Sequence, residues 1–135
     1  MDTDVLIRLR ADDLLIGVKA KEQLAERFEA GQLAVTAASF NEVSRLVEKG
    51  VIELDMPVRD WCRRCTDGGI RLLPLSVEIA VAAPQLTRQG FHGDPFDQII
   101  VATALDRRCP LVTTDRSIIA WAEQSTGLEV LNARK

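Results

Sequence analysis

The chain has 135 residues, 47% of them apolar and 27% charged, with a net charge of −3 and a pI near 5.2. That is enough apolar material to close a core and too much for a disordered chain, so a single domain over residues 1–135 is expected. The acidic balance excludes a module that holds duplex nucleic acid through a global positive field, and no apolar run reaches the roughly 18 residues that span a bilayer.

MDTDVLIRLR is acidic and lacks the basic-then-apolar layout of a signal peptide. A cytoplasmic location with no membrane partner is therefore expected. In chain order, Val5 to Leu9 reads as a short helical turn and Gly17 to Glu29 as an amphipathic helix ended by Gly31. Leu33 to Thr36 is a short apolar strand. Ser39 to Lys49 is a helix stopped by Gly50, and Pro57 to Thr66 another, stopped by Gly68-Gly69. Ile70 to Leu73 reads as a strand, Val77 to Leu86 as a helix, and Pro95 to Arg107 as the most apolar helix. A strand at Leu111 to Thr113, a helix at Ser117 to Gln124 and a strand at Leu128 to Leu131 complete the pattern. Short apolar strands alternating with helices define an α/β sandwich with a mainly parallel sheet. Ligands of such sheets collect beyond the carboxyl ends of the strands, where Asp115 falls, just after LVTT.

Asp2 also reads as a residue just past a strand, yet only Met1 precedes it, whereas strands usually have about five residues. Either the natural start lies upstream or the first strand has been lost, and the upstream start is the expectation. The three cysteines, Cys62, Cys65 and Cys109, are odd in number, which argues against a disulfide framework. WCRRC has redox spacing, but it lies inside a helix rather than at a helix start, so two packed thiols are expected. His92, the only histidine, precedes the glycine of a loop and is read as a loop residue. No G-x-S-x-G, G-x-x-x-x-G-K-S/T or G-x-G-x-x-G pattern is present.

Four acids stand where elements begin or end: Asp2, Glu42, Asp97 and Asp115. Each has a plain structural reading. Ser39 and Glu42 fit a capping box. Asp94, Pro95 and Asp97 fit N-cap, N1 and N3 of one helix, and Asp115 fits the cap of the helix holding Ile118 and Trp121. Together they permit another reading. Carboxylates gathered from distant segments repel one another unless a cation compensates, and a hard divalent ion such as Mg²⁺ or Mn²⁺ is the simplest one.

DTDVLI, SFNEV, HGDPFDQIIVATAL and LVTTDRS, in that order and at that spacing, resemble the PIN domain family, in particular the VapC-type toxins of type II toxin–antitoxin pairs. The resemblance spans essentially the whole chain and implies a three-layer α/β/α sandwich with a mainly parallel central sheet. It further implies a Mg²⁺- or Mn²⁺-dependent endoribonuclease, with RNA as substrate, a VapB-like antitoxin as partner and a homodimer as assembly. On that resemblance Asp2 and Asp97 are direct metal ligands, and Asp115 binds metal directly or through water. Glu42 completes the cluster and orients or deprotonates the attacking water, leaving a 5′-phosphate and a 3′-hydroxyl. Thr113 holds the Asp115 carboxylate or a phosphate. Asp4 supports from behind, and Asp94 is either a cap or an auxiliary ligand. Arg116, Arg45 and Lys49 are either phosphate contacts or a solvated surface. Two other functions fit the same residues: a non-catalytic PIN-like partner of an antitoxin, and a PIN nuclease of RNA processing.

Overall fold

The computed structural model describes every residue except Asp12, Leu14 and Ser125. Its helices are α1 (Thr3–Arg10), α2 (Val18–Glu29), α3 (Ala37–Glu48), α4 (Val58–Asp67), α5 (Val77–Gln85), α6 (Pro95–Arg107) and α7 (Arg116–Ala122). The strands are β1 (Ala34–Thr36), β2 (Arg71–Leu73), β3 (Leu111–Thr113) and β4 (Val130–Asn132), and a 3-10 turn, Leu86–Gln89, follows α5. The elements come in the order and type read from the sequence. Gly31 and Gly50 end the turns after α2 and α3 in the left-handed region, at φ 68° and 71°, where a side chain would be strained.

Both strand pairs are parallel, as an α/β fold built on crossover helices requires. Ala34, Val35 and Thr36 stand opposite Arg71, Leu72 and Leu73, and Leu111, Val112 and Thr113 stand opposite Val130, Leu131 and Asn132. The parallel pairing agrees with the mainly parallel sheet expected of the α/β sandwich. Among the described residues the strands make two two-stranded sheets, β1 with β2 and β3 with β4. Met1 and Asp2 reach between them: the Met1 ammonium donates to the Ala34 carbonyl at 2.9 Å, and the Asp2 amide donates to the Val112 carbonyl at 3.0 Å. Two residues touch both sheets but are too few to pair as a strand.

The core divides along the same line. One cluster gathers Val5, Leu6, Ile16, Leu24, Val35, Val43, Trp61 and Cys65. The other gathers Ile79, Ile100, Val101, Leu111, Ile118 and Trp121. In α6 the run from Ile100 to Ala104 is buried without a break, the pattern of a helix covered on most of its faces. Cys65 is buried and Cys62 half-buried within α4, and all three cysteines are free. Burial pushes both thiols up, Cys62 to about 11, so neither has the thiolate character of a redox cysteine.

Helix α1 carries Asp2 at its start and is pinned to the core by Val5 and Leu6, both wholly buried. Leu6→Ala leaves a cavity under that helix and should cost about 2–5 kcal/mol of stability, read as a lowered urea midpoint at unchanged slope.

Candidate active site

Asp2, Asp4, Glu42, Asp97 and Asp115 line one open pocket of about 430 Å³, together with Thr3, Thr114, Arg116, Ser117 and Arg134. The chain delivers these acids from four places. Asp2 is the N-cap of α1, its Oδ1 accepting the Val5 amide at 2.9 Å. Glu42 projects from α3, which runs on directly from β1. Asp97 lies in the first turn of α6, whose N-cap Asp94 accepts the Asp97 amide at 2.9 Å. Asp115 is the N-cap of α7, one residue beyond Thr114 at the carboxyl end of β3.

The loop before α6 is fixed by packing. Phe91 is buried against Trp121, ring centroids 5.4 Å apart, and the Trp121 indole donates to the Gln89 carbonyl at 2.9 Å. Gly93 is required there by space. A Cβ at that position would stand 2.6 Å from the Phe91 ring and 3.0 Å from the Asp97 Cβ.

The acids differ in how they are satisfied. Asp2 is only 4% exposed, and its second oxygen accepts the Thr113 hydroxyl. Asp115 takes the Ser117 amide, the Ser117 hydroxyl and the Ile118 amide all on Oδ1, so Oδ2 is spared by these bonds. Asp4 accepts Arg8 Nε at 2.8 Å and the Thr114 hydroxyl at 2.7 Å. For the Asp97 carboxylate the described residues supply no hydrogen bond. Burial, and then the charges of Asp94, Asp115, Glu42 and Asp2, push its pKa up to about 7. Glu42 is raised by burial, against a hydrogen bond from Thr3, with Asp94 and Asp4 adding to the rise. Asp2 is raised by burial, against the Thr113 and Val5 hydrogen bonds and the Met1 ammonium, with Asp4 again adding.

Several expectations need correction. Ser39 and Glu42 do not form a capping box: α3 begins at Ala37 with Thr36 as N-cap, because β1 passes into the helix without a loop. Ser39 is instead buried in the first turn, its hydroxyl hydrogen-bonded with that of Thr3 at 3.0 Å. Thr113 holds Asp2, not the Asp115 carboxylate. Its buried hydroxyl donates to Asp2 and accepts the Asp115 amide at 2.9 Å, which leaves it facing no phosphate. Asp4 stands on the pocket wall rather than behind it, and Asp94 is a cap outside the wall. Arg45 donates to Asn41 and lies 6.0 Å over the Phe96 ring, and Lys49 sits at the far end of α3, so neither lines the pocket. The sequence reading missed Thr114 and Arg134. Arg134 Nε donates to the Thr114 carbonyl at 2.7 Å from the tail beyond β4, a contact without any local sequence signal.

Among the described residues no three His, Cys, Asp or Glu side chains are grouped tightly enough to enclose a metal ion. The acids share a wall without closing into a cage. This arrangement suits a cation that shares its coordination with water and a substrate, since hard oxygen donors from separate elements face one opening.

Residues 1–123 match the PIN domain family model. The chain belongs to the PIN domain family. Among similar proteins, Ribonuclease VapC22 of Mycobacterium tuberculosis (strain ATCC 25618 / H37Rv) is 36% identical over 89 residues, covering 66% of this chain and 67% of that one. A solved toxin–antitoxin complex from Klebsiella pneumoniae contains a chain that is 25% identical, with a TM-score of 0.63 over 96% of this chain and 92% of that one. A chain of DNA-bound VapBC from Salmonella typhimurium is similar in fold, at 18% identity and a TM-score of 0.63, over 96% of this chain and 93% of that one. Among the described residues no helix is long and apolar enough to cross a membrane.

Two outcomes are expected from the geometry. Thr113→Val keeps the shape but strips a donor from the buried Asp2 carboxylate, which should cost about 1–3 kcal/mol in denaturant unfolding. Folded Asp97 keeps its proton up to about pH 7, whereas an ordinary aspartate releases it near 3.8. Between those values the folded chain holds more protons than the unfolded one, so stability falls as pH rises through that window and levels above it. Without divalent metal the chain should therefore melt higher at about pH 5 than at about pH 8, and Asp97→Asn should shrink the difference in calorimetry.

Proposed function

We propose that the chain is a Mg²⁺- or Mn²⁺-dependent endoribonuclease, the toxin of a VapBC-type toxin–antitoxin pair, which hydrolyses RNA phosphodiesters in the acidic pocket. The observation that carries this reading is the arrival of Asp2, Glu42, Asp97 and Asp115 on one wall from four separate segments, with the Asp97 carboxylate receiving no hydrogen bond from the described residues. The PIN family membership and the similarity to a ribonuclease support it.

Asp97 and Asp2 would hold the ion directly, and Asp115 through water on its spared oxygen. Mg²⁺ commonly binds through one or two carboxylates plus substrate phosphates rather than in an all-protein cage. When bound, such an ion lowers the pKa of water and polarises a phosphate. Glu42 would orient the attacking water and accept its proton, a task for which a carboxylate with a raised pKa is better matched than an ordinary one. Arg116 and Arg134, on the pocket rim, draw in flanking phosphates that the acids alone would repel. Arg134 is anchored for this through Thr114. Single-stranded or loop RNA fits best, because its backbone can bend into an open pocket.

An antitoxin partner is supported by the toxin–antitoxin complexes of similar fold. Its bound segment would lie over the acidic pocket and exclude RNA.

Expression of the chain alone should slow growth, and Asp97→Asn should abolish the effect. In vitro, RNA cleavage with Mn²⁺ should drop by at least about 100-fold, since even partners of a metal ligand contribute 10–100-fold. Calorimetric Mn²⁺ binding should weaken in parallel. Equal toxicity from both chains, or Mn²⁺ binding indifferent to Asp97, would refute the assignment.

A further inference from the structure

The segment beyond β4 is held from two sides. The Ala133 amide donates to the Thr113 carbonyl at 2.8 Å, and the Ala133 carbonyl accepts the Gly17 amide at 2.9 Å. Ala133 is wholly buried. Thr113 also carries Asp2 and the Asp115 amide, so the segment is fastened to the same strand end as the pocket. The Arg134 amide turns back to donate to Asn132 Oδ1 at 2.9 Å. Beyond this turn the Arg134 side chain reaches the pocket wall, where its Nε donates to the Thr114 carbonyl at 2.7 Å.

Gly17 immediately precedes α2, and its backbone, φ −63° and ψ 155°, is one that any residue adopts. The position is bare for reasons of space instead. A Cβ there would stand 1.9 Å from the Lys135 carbonyl carbon, 2.4 Å from its oxygen and 2.6 Å from its Cα. These are backbone atoms and cannot rotate aside, so a side chain must push the segment off the start of α2. The helix itself gains nothing from the glycine. Serine, aspartate or asparagine would cap it better, and no side chain caps α2.

We propose that Gly17 is a positioning residue for the acidic pocket: by admitting residues 133–135 against α2, it seats the Arg134 guanidinium as a fork for one RNA phosphate beside the scissile one. The substrate class rests on the ribonuclease reading above, whereas the seating of Arg134 by Gly17 does not. Among the described residues Arg134 makes no ion pair with a pocket acid, and no acceptor holds its two Nη groups. With Nε fixed, those groups keep the planar geometry that grips two phosphate oxygens at once. A cation so placed admits a polyanion to a pocket otherwise walled by carboxylates. Gly17 lines no part of that pocket, so its effect on RNA passes through the segment it admits.

The test compares Gly17→Ser, Arg134→Gln and the double variant with the parent chain. Serine is the better helix cap, so Gly17→Ser should keep α2 formed by circular dichroism while it displaces the segment. Hydrogen exchange at the Ala133 amide should quicken by at least about tenfold. In Mn²⁺-dependent RNA cleavage its KM should rise about three- to tenfold with kcat nearly unchanged, the signature of lost uniform binding. Arg134→Gln should raise KM by about tenfold and flatten the log–log salt dependence of RNA affinity by about 0.7, one phosphate contact on a single strand. In the double variant Gly17→Ser should add nothing. A Gly17→Ser KM equal to the parent's, or a further rise on top of Arg134→Gln, would overturn the proposal. So would an Arg134→Gln chain that binds RNA like the parent. If the parent binds but does not cleave RNA, only the ribonuclease reading fails, and affinities from polarisation of a fluorescent single-stranded RNA rank the four chains instead. A parent that binds no RNA overturns the proposal as well. If Gly17→Ser does not fold, Gly17→Ala decides on the same readouts.

Discussion

Asp2 is a carboxylate with almost no exposure to water, and a charge so placed is tolerated only where the protein replaces its hydration. Thr113 and Val5 do this, one for each oxygen. The two donors come from the end of β3 and the first turn of α1, so a single side chain ties together parts of the chain 111 residues apart. The same Thr113 hydroxyl also accepts the amide of Asp115. The positions of two pocket acids are thus set by one shared oxygen, and the rest of the pocket is arranged around that junction.

The helices supply the remaining acids at little conformational cost. Asp94 and Asp115 cap α6 and α7 and satisfy amides that any helix start leaves exposed. Asp97 gains from the dipole at the start of α6, yet it faces four other carboxylates with no donor of its own among the described residues. Structural and chemical roles are divided between neighbours: the cap is satisfied, and the residue three places later is left charged or protonated according to what the pocket holds. The repulsion among these carboxylates adds to burial in raising the Asp97 pKa.

Much of this was legible in advance for local reasons. Helix and strand positions follow from apolar periodicity and from glycines at φ values that favour them, and α1 through β4 were each foreshadowed. Asp94-Pro95-Phe96-Asp97 announced its helix start through three residues with separate physical preferences. The capping box at Ser39 misled because the same residue spacing fits a helix that starts there and one that began at Ala37. Only the continuous passage from β1 into α3 distinguishes them.

The sequence alone determined which residue types carry charge and where chain segments turn helical, because those properties depend on near neighbours. Tertiary structure decided the long-range partnerships: Thr113 with Asp2 instead of Asp115, Arg134 with Thr114, Asp4 on the pocket wall, and two sheets held apart with Met1 between them. Those contacts join residues whose separation along the chain holds no periodic signal, and their geometry appears only when the core closes and brings strand ends to a common edge.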